Sequence, residues 1–255
     1  MSSVLSFVEV GWTPPGRELP VFSGLALELL PGELAVLTSG LGGGKSSALR
    51  LAVGLESPTT GSVLVCGRPP SPSRQRVGYV AGEGALLANL SLYDNLVLPL
   101  RWLRDPPAAE IERRAREALA LFGIDSLPAV APAYAPTNLR RLVALARAMI
   151  LGPSLLVLDD PTDDFDSDSA EEVWSHLADI ASAQGLGILA AATNPPRLPS
   201  ARIVALSGAS LPTTRRFSSA QRRTAVVPAI RPSGPITAIA PKAVHPDILA
   251  RRHQP

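Results

Sequence analysis

The densest chemistry in the chain is the run Ser39-Gly40-Leu41-Gly42-Gly43-Gly44-Lys45-Ser46-Ser47. Glycines let a backbone curl until successive N–H groups face one point, which is how a loop cradles phosphate oxygens. A lysine closing the loop reaches the terminal phosphates, and the hydroxyl beside it can ligate Mg²⁺. Lys45 and Ser46 hold those two positions. Against the pattern G-x-x-x-x-G-K-[ST] one residue departs: Ser39 stands where the first glycine belongs. Lys45 and Lys242 are the chain's two lysines, and every other basic residue is arginine. A second constellation fits the first. Residues 155–158 are a continuous apolar run that ends in Asp159-Asp160-Pro161. A buried strand ending in carboxylates beside a phosphate loop delivers an acid to a Mg²⁺ shell.

These residues need elements to hold them. Residues 34–38 read as a strand leading into the glycine loop, and 45–53 read as a helix leaving it. That strand–loop–helix context is what the phosphate-loop pattern requires. Residues 3–10, 25–30 and 62–66 read as further strands, separated by turns such as Thr13-Pro14-Pro15-Gly16. Asp105-Pro106-Pro107 opens a helix with Asp as the cap and Pro in the first turn. Ile111, Ala115, Ala118, Leu119 and Phe122 form its apolar face, and Gly123 stops it. A second helix is predicted over 138–150 and a third over 168–184. Residues 186–193 and 203–206 complete the strands. Alternating strands and helices predict an α/β fold with a largely parallel sheet.

Composition sets the limits. The chain has 255 residues, 46% hydrophobic and 18% charged, which is ample for a packed core and excludes global disorder. No apolar run reaches the ~18–20 residues of a membrane span. Residues 1–10 lack the basic-then-apolar pattern of a secretory signal. One cysteine, Cys66, excludes an intrachain disulfide framework. The net charge of +2 conceals two unlike parts. Residues 207–255 carry eight Lys and Arg against the single acid Asp247, so the first 206 hold 16 basic residues against 21 acids. A nucleic-acid-binding body is not implied. The tail, with seven prolines, reads as extended or disordered. The acids Asp159, Asp160, Asp163, Asp164, Asp166 and Asp168 lack the glycine and terminal glutamate of a calcium loop at the needed offsets, and read as a solvated loop and helix cap. His176, His245 and His253 have no zinc-ligand spacing.

With these motifs in this order, residues 4–206 resemble the nucleotide-binding subunit of ATP-binding cassette (ABC) transporters. The stretch Val77-Gly78-Tyr79-Val80, followed by Ala85 through Leu96, looks like the part of that family that meets the membrane partner. Leu142-Val143-Ala144-Leu145-Ala146-Arg147-Ala148 looks like the helix after its signature motif. The resemblance implies a P-loop NTPase of the ABC ATPase type. Its expected architecture is an α/β domain over 1–211 with a mixed sheet, an inserted helical subdomain at about 100–150, and a disordered basic tail over 212–255. It implies ATP and Mg²⁺ as cofactors. Gly40, Gly42, Gly43, Gly44, Lys45, Ser46 and Ser47 would hold the phosphates, Trp12 would stack on adenine, and Ser46 and Asp159 would hold the metal. Two such subunits, identical or different, would sandwich two ATP molecules beneath a separate membrane permease. The location would be cytoplasmic, peripheral on the inner face of the plasma membrane. Within the family the chain is similar to subunits paired with MCE proteins in lipid transport. The tail's charge points to anionic lipid head groups or an acidic partner.

Four departures surround the γ-phosphate position. The family's glutamine falls on Gly82. Its signature Leu-Ser-Gly-Gly falls on Ala135-Pro136-Thr137-Asn138. Its general-base glutamate is Asp160, one methylene shorter, and its switch histidine is Asn194, which cannot exchange a proton near neutral pH. A positioned base contributes ~10²–10⁴-fold, and preorganised donors to the phosphoryl group contribute about 10²–10³-fold. The expectation is a subunit that binds ATP and hydrolyses it poorly. Two other readings stand beside it: a fully hydrolysing subunit, and a non-transport interaction protein that keeps only the fold.

Overall fold

The computed structural model describes residues 2–40, 42–71, 77–82 and 86–206. The predicted tail and Ala85 of the permease-facing stretch lie outside the described residues. Among the described residues, eight strands and five helices run in the order β1 (Leu5–Trp12), β2 (Phe22–Leu29), β3 (Leu34–Thr38), α1 (Lys45–Val53), β4 (Thr60–Val65), β5 (Val77–Val80), α2 (Leu92–Leu103), α3 (Ala108–Ala120), α4 (Thr137–Met149), β6 (Leu155–Asp159), α5 (Ser167–Gln184), β7 (Gly187–Ala191) and β8 (Ala201–Ala205). A single 3₁₀ turn, Pro132–Tyr134, precedes α4.

The expected mixture of strand directions is divided between two sheets. One is antiparallel, in the order β2-β1-β4, and the other is parallel, in the order β5-β6-β7-β3-β8. The parallel strands are apolar on both faces, as strands covered on both sides must be. Alternate residues of β3 show why. Ala35 and Leu37 pack with the antiparallel sheet and α1, whereas Leu34 and Val36 pack with α4 and α5. Helices α2, α3 and α4 share a third apolar cluster through residues such as Leu96, Leu100, Ile111, Leu119, Val143 and Ile150. Helix α4 therefore lies between two cores, with Leu145 and Met149 in one and Val143 and Ala146 in the other.

The predicted apolar face of α3 is buried at Ile111, Ala115, Ala118 and Leu119. Its predicted cap is corrected. Pro107 occupies the N-cap without a side-chain bond, and Asp105 has a φ of 40°, outside the helix. Two prolines separate Asp105 from the first turn, so its carboxylate is too far back to cap it. Helix α2 was not foreseen as a helix. It is started by Ser91, whose hydroxyl accepts from the Asp94 N–H at 3.0 Å. Fully buried Asn95 then ties the preceding loop to it. The side chain accepts from Leu87 N and donates to the carbonyls of Leu87, Leu90 and Ser91.

In an open parallel sheet, ligands collect beyond the carboxyl ends of the strands, where connections diverge. Here β3 ends in the glycine loop, β6 in Asp159-Asp160, β7 in residues 192–194 and β5 in residues 81–82.

Candidate functional site

A groove of about 620 Å³ opens at that end of the sheet. It is lined by Trp12, Gly40, Gly42, Gly43, Gly44, Lys45, Ser46 and Ser47, together with Asp160 and Thr193. The register of the antiparallel sheet brings Trp12 there. Trp12 pairs with Phe22, and the Val21 N–H donates to the Trp12 carbonyl at 2.8 Å. Trp12 and Val21 thus wall one end of the groove beside the glycine loop.

Two glycines of the loop are demanded by space. A Cβ on Gly43 would lie 2.6 Å from the Ser39 Cβ. Gly44 is the N-cap of α1 with a φ of 85°, and a Cβ there would lie 2.7 Å from both Phe22 and Val21. The Gly43 N–H donates to the Gly40 carbonyl at 3.0 Å and closes the curl. The first N–H groups of α1, at Lys45, Ser46 and Ser47, have no partners within the helix by its geometry and belong to residues that line the groove. A helix N-terminus and a lysine together make this an anion-binding surface. Ser47 is itself oriented. Arg50, one turn later, donates to its hydroxyl at 3.2 Å while pairing with Glu56 at 2.6 Å.

The acids face this cradle from β6. Burial pushes the Asp159 carboxyl up, and the charge of Asp160 adds to it, while the Ser46 hydroxyl, Arg50 and Lys45 pull it down. One of its oxygens, Oδ1, is buried without a hydrogen-bond partner. An orphaned carboxylate oxygen beside a serine hydroxyl at a phosphate loop fits a hard divalent cation, whose ligands are oxygens. Ser46 and Asp159 would hold it, and the metal would supply positive charge beside the terminal phosphates.

Asp160 has a φ of 44°, which a residue with a side chain rarely adopts. Its neighbours fix it there. Its N–H donates to the Ala191 carbonyl at 2.9 Å, and its Oδ1 accepts from the Thr193 N–H at 2.7 Å. The Lys45 ammonium donates to the Thr193 hydroxyl at 3.4 Å. Thr193 thus joins the lysine of the phosphate loop to the acid after β6. Sequence reasoning placed Asn194 at this edge. Asn194 is exposed and does not line the groove. The signal that selects Thr193 is the parallel register of β7 against both β3 and β6, which no local motif displays.

The remaining departures lie elsewhere. Pro136 is the N-cap of α4 and offers no side-chain bond. Thr137 and Gly82 line a second groove of about 560 Å³, with Arg140, Arg141, Asp163 and Asp164. Gly82 has open space around its Cβ position and supplies a carbonyl, not a side chain, to this region.

Comparisons with known proteins agree with this geometry. The family model described as ABC transporter matches residues 22–163. The sulfate/thiosulfate import ATP-binding protein CysA 1 of Rhizobium meliloti (strain 1021) is 36% identical over 172 residues, covering 65% of this chain and 50% of the relative. The chain thus spans about half the length of that relative. The lipoprotein-releasing system ATP-binding protein LolD of Maricaulis maris (strain MCS10) is 33% identical over 199 residues, covering 74% of this chain and 86% of LolD. Among solved structures, cbiO1 from Clostridium perfringens, part of the transporter complex cbiONQ, superposes with a TM-score of 0.68 at 23% identity, over 76% of this chain and 80% of that one. The dimeric ATP-binding cassette MJ0796, bound to ADP and Pi, also gives 0.68, at 22% identity over 79% and 94%. At such identities the structural likeness speaks for the fold alone.

Proposed function

The chain belongs to the ABC transporter family, and from that premise we propose that it is the ATP-binding subunit of a transporter complex whose hydrolytic step is weak. The observation that carries the reading is the groove lined by the glycine cradle, Lys45 and Ser46, with the Asp159 carboxylate behind it, bonded to the Ser46 hydroxyl. The chain's own residues supply the binding work. The α1 N-terminus and Lys45 attract phosphate, Trp12 offers a face to the base, and Asp159 with Ser46 offers oxygens to Mg²⁺.

The catalytic work lacks matching parts. Asp160 spends its Oδ1 on the Thr193 N–H, and its carboxylate is one methylene shorter than a glutamate. Gly82 has no side chain to hold a water. Asn194 is turned to solvent and has no proton to exchange near neutral pH. In this reading ATP binding is the productive event, and it is passed to a separate permease and a second ABC subunit, identical or different. No described helix is long and apolar enough to cross a membrane, which accords with a peripheral role on the cytoplasmic face. Lipid is the proposed cargo class, the domain boundary is proposed at about residue 211, and the basic tail over 212–255 is proposed to contact anionic head groups.

Equilibrium binding and turnover of the purified chain, with and without a permease partner, test this reading. ATP with Mg²⁺ is expected to bind, and Lys45→Ala is expected to weaken it by ~100-fold or more, the loss of a charged hydrogen bond to phosphate with its positioning. Turnover is expected well below the ~1 s⁻¹ of an ordinary slow enzyme. Turnover at that rate would favour the fully hydrolysing reading. Absent nucleotide binding would favour an interaction protein that keeps only the fold.

A further inference from the structure

Arg141 is the one charged side chain that is buried among the described residues, at 4% exposure. It projects from α4, where helical periodicity alone would assign an arginine to solvent. Its guanidinium is consumed by two loops at once. Nε and Nη2 donate to Asp164 Oδ2 at 3.1 and 2.7 Å, and Nη1 donates to the Gly82 carbonyl. The first loop follows β6 and the second follows β5, and both emerge at the end of the sheet that carries the groove.

Asp164 is four residues beyond Asp160. The segment between them is a tight turn: the Asp163 N–H contacts the Asp160 carbonyl at 3.4 Å, and Phe165 N–H donates to Thr162 O at 3.1 Å. At its far end Asp166 caps α5 by accepting from the Ser169 N–H at 3.0 Å. At its near end Asp160 holds the left-handed φ and the Thr193 N–H. A strained residue keeps its conformation only when its surroundings over-determine it. Arg141 is the only cationic side chain bonded to this turn among the described residues, and its own burial leaves it no alternative partner in water.

We propose that Arg141 is a positioning residue: by gripping Asp164 and the Gly82 carbonyl together, it holds the turn after β6 so that Asp160 stays over the groove and against Thr193. Arg141 does not touch the groove where nucleotide is proposed to bind. It acts through Asp164 on Asp160, and through the Gly82 carbonyl on the loop after β5. The inference concerns the architecture of the groove edge, and only its nucleotide readout rests on the proposed function.

The deciding measurement is amide hydrogen exchange of the full chain without nucleotide, comparing wild type with Arg141→Met, Arg141→Lys and Asp164→Asn. Arg141→Met keeps the length and apolar stem and removes the fork. The expected result is exchange at Thr193 and at residues 160–164 faster by ~10-fold or more, with the amides of β3 and β6 unchanged. Arg141→Lys should fall between wild type and Arg141→Met, because an ammonium keeps the charge and loses the fork geometry. Asp164→Asn should accelerate the same amides, and it decides the matter if Arg141→Met does not fold. Unchanged exchange at Thr193 would overturn the proposal, as would a uniform acceleration that includes β3 and β6, the mark of general destabilisation. The second readout is ATP affinity with Mg²⁺. A change within about twofold in Arg141→Met supports a role confined to the acid edge, whereas a loss approaching that of Lys45→Ala overturns it. A wild-type chain that binds no ATP would sink the proposed function and leave the exchange comparison intact.

Discussion

Two carboxylates of the helical part and two at the end of β6 are pushed in opposite directions. In α2, the Ser91 hydroxyl and then Arg101 hold Asp94 below the usual carboxylate range. In α3, Arg113 and Arg114 bring Glu110 down to about 2. After β6 the order reverses. Burial pushes Asp159 and Asp163 up, and the charge of Asp160 pushes both further. The split even runs within one loop, because Asp166, which caps α5, is lowered by the Ser169 N–H. Asp94, Glu110 and Asp166 are dominated by their donors, whereas burial outweighs the Ser46 hydroxyl at Asp159 and the nearby cations at Asp163. A protein that holds several carboxylates close together and partly desolvated has put a local cost where a cation or a phosphate-bound metal would relieve it.

The largest effect is expected where an ion pair ties the two regions together, at Arg141 and Asp164. Arg141 belongs to the helical part and Asp164 to the acid loop. Asp164→Ala leaves a buried guanidinium with the Gly82 carbonyl as its remaining partner. Removing one member of a buried pair costs roughly 3–5 kcal/mol, and the half-exposed Asp164 side places this pair at the lower end, about 3 kcal/mol. Urea unfolding should show the loss in midpoint without a change in slope. A loss below about 1 kcal/mol would mean that water reaches Arg141 freely and that the two regions are not tied there.

The next effect lies inside the helical part and tests whether its polar groups are structural. Asn95 is fully buried and serves four backbone groups around residues 87–91. Asn95→Ala strands the Leu87 N–H and takes the side-chain donor from the Leu90 carbonyl, while the Leu87 and Ser91 carbonyls keep backbone donors, for an expected cost of about 2 kcal/mol. ATP affinity should stay within about twofold, because no Asn95 partner lines the groove. Nucleotide binding that fell with the stability would erase the distinction between the two regions.

How much of this was legible in the sequence follows the same divide. Strand β3, α1 and the acid-ended β6 were readable because a glycine loop and an uninterrupted apolar run are local signals. Helix α2 was missed although Ser91-x-x-Asp94 before an apolar run is a capping signature. Pro99 inside it and the polar, buried Asn95 disguised its period. Thr193 and Arg141 were invisible for a different reason. Thr193 is defined by strand register across the sheet, and an arginine on an amphipathic helix reads as solvent-facing until the two loops that consume it are in place. The predicted cap at Asp105 failed because two prolines intervene.

A smaller effect is expected beside the groove, at Asp159. Asp159→Asn removes a carboxylate whose Oδ1 has no partner. Sign decides what to expect. A carboxyl raised in the folded state binds its proton more readily there than when unfolded, so its contribution favours folding at low pH and is lost as pH rises through the raised value. At neutral pH Asp159 is therefore a net burden without a cation, and Asp159→Asn should raise the melting temperature by about 1–2 °C. The Ser46 hydroxyl, Arg50 and Lys45 offset part of the burial and keep the gain small. The dependence of stability on pH just above the ordinary carboxylate range should flatten in the variant. Mg²⁺-dependent ATP binding should weaken at the same time, the usual opposition between stability and function. A variant that loses stability would show that Asp159 is a structural acid like Asp94.

The smallest effect is the counter-test on α3. Glu110 accepts from Arg113 at 2.7 and 2.9 Å and from Arg114 at 2.6 Å, yet all three side chains stand at the surface. Its lowered carboxyl means that folding favours the charged form, so any contribution is present at neutral pH and fades as pH falls toward about 2. Solvent and salt screen such pairs until little remains. Glu110→Gln should therefore leave the melting temperature within about 1 °C at neutral pH and physiological salt. The Glu110 pair sits where water screens it, whereas the Asp159 carboxyl sits where burial limits that screening. A clear destabilisation by Glu110→Gln would invert that ranking and make the helical surface network a real contributor to stability despite its exposure.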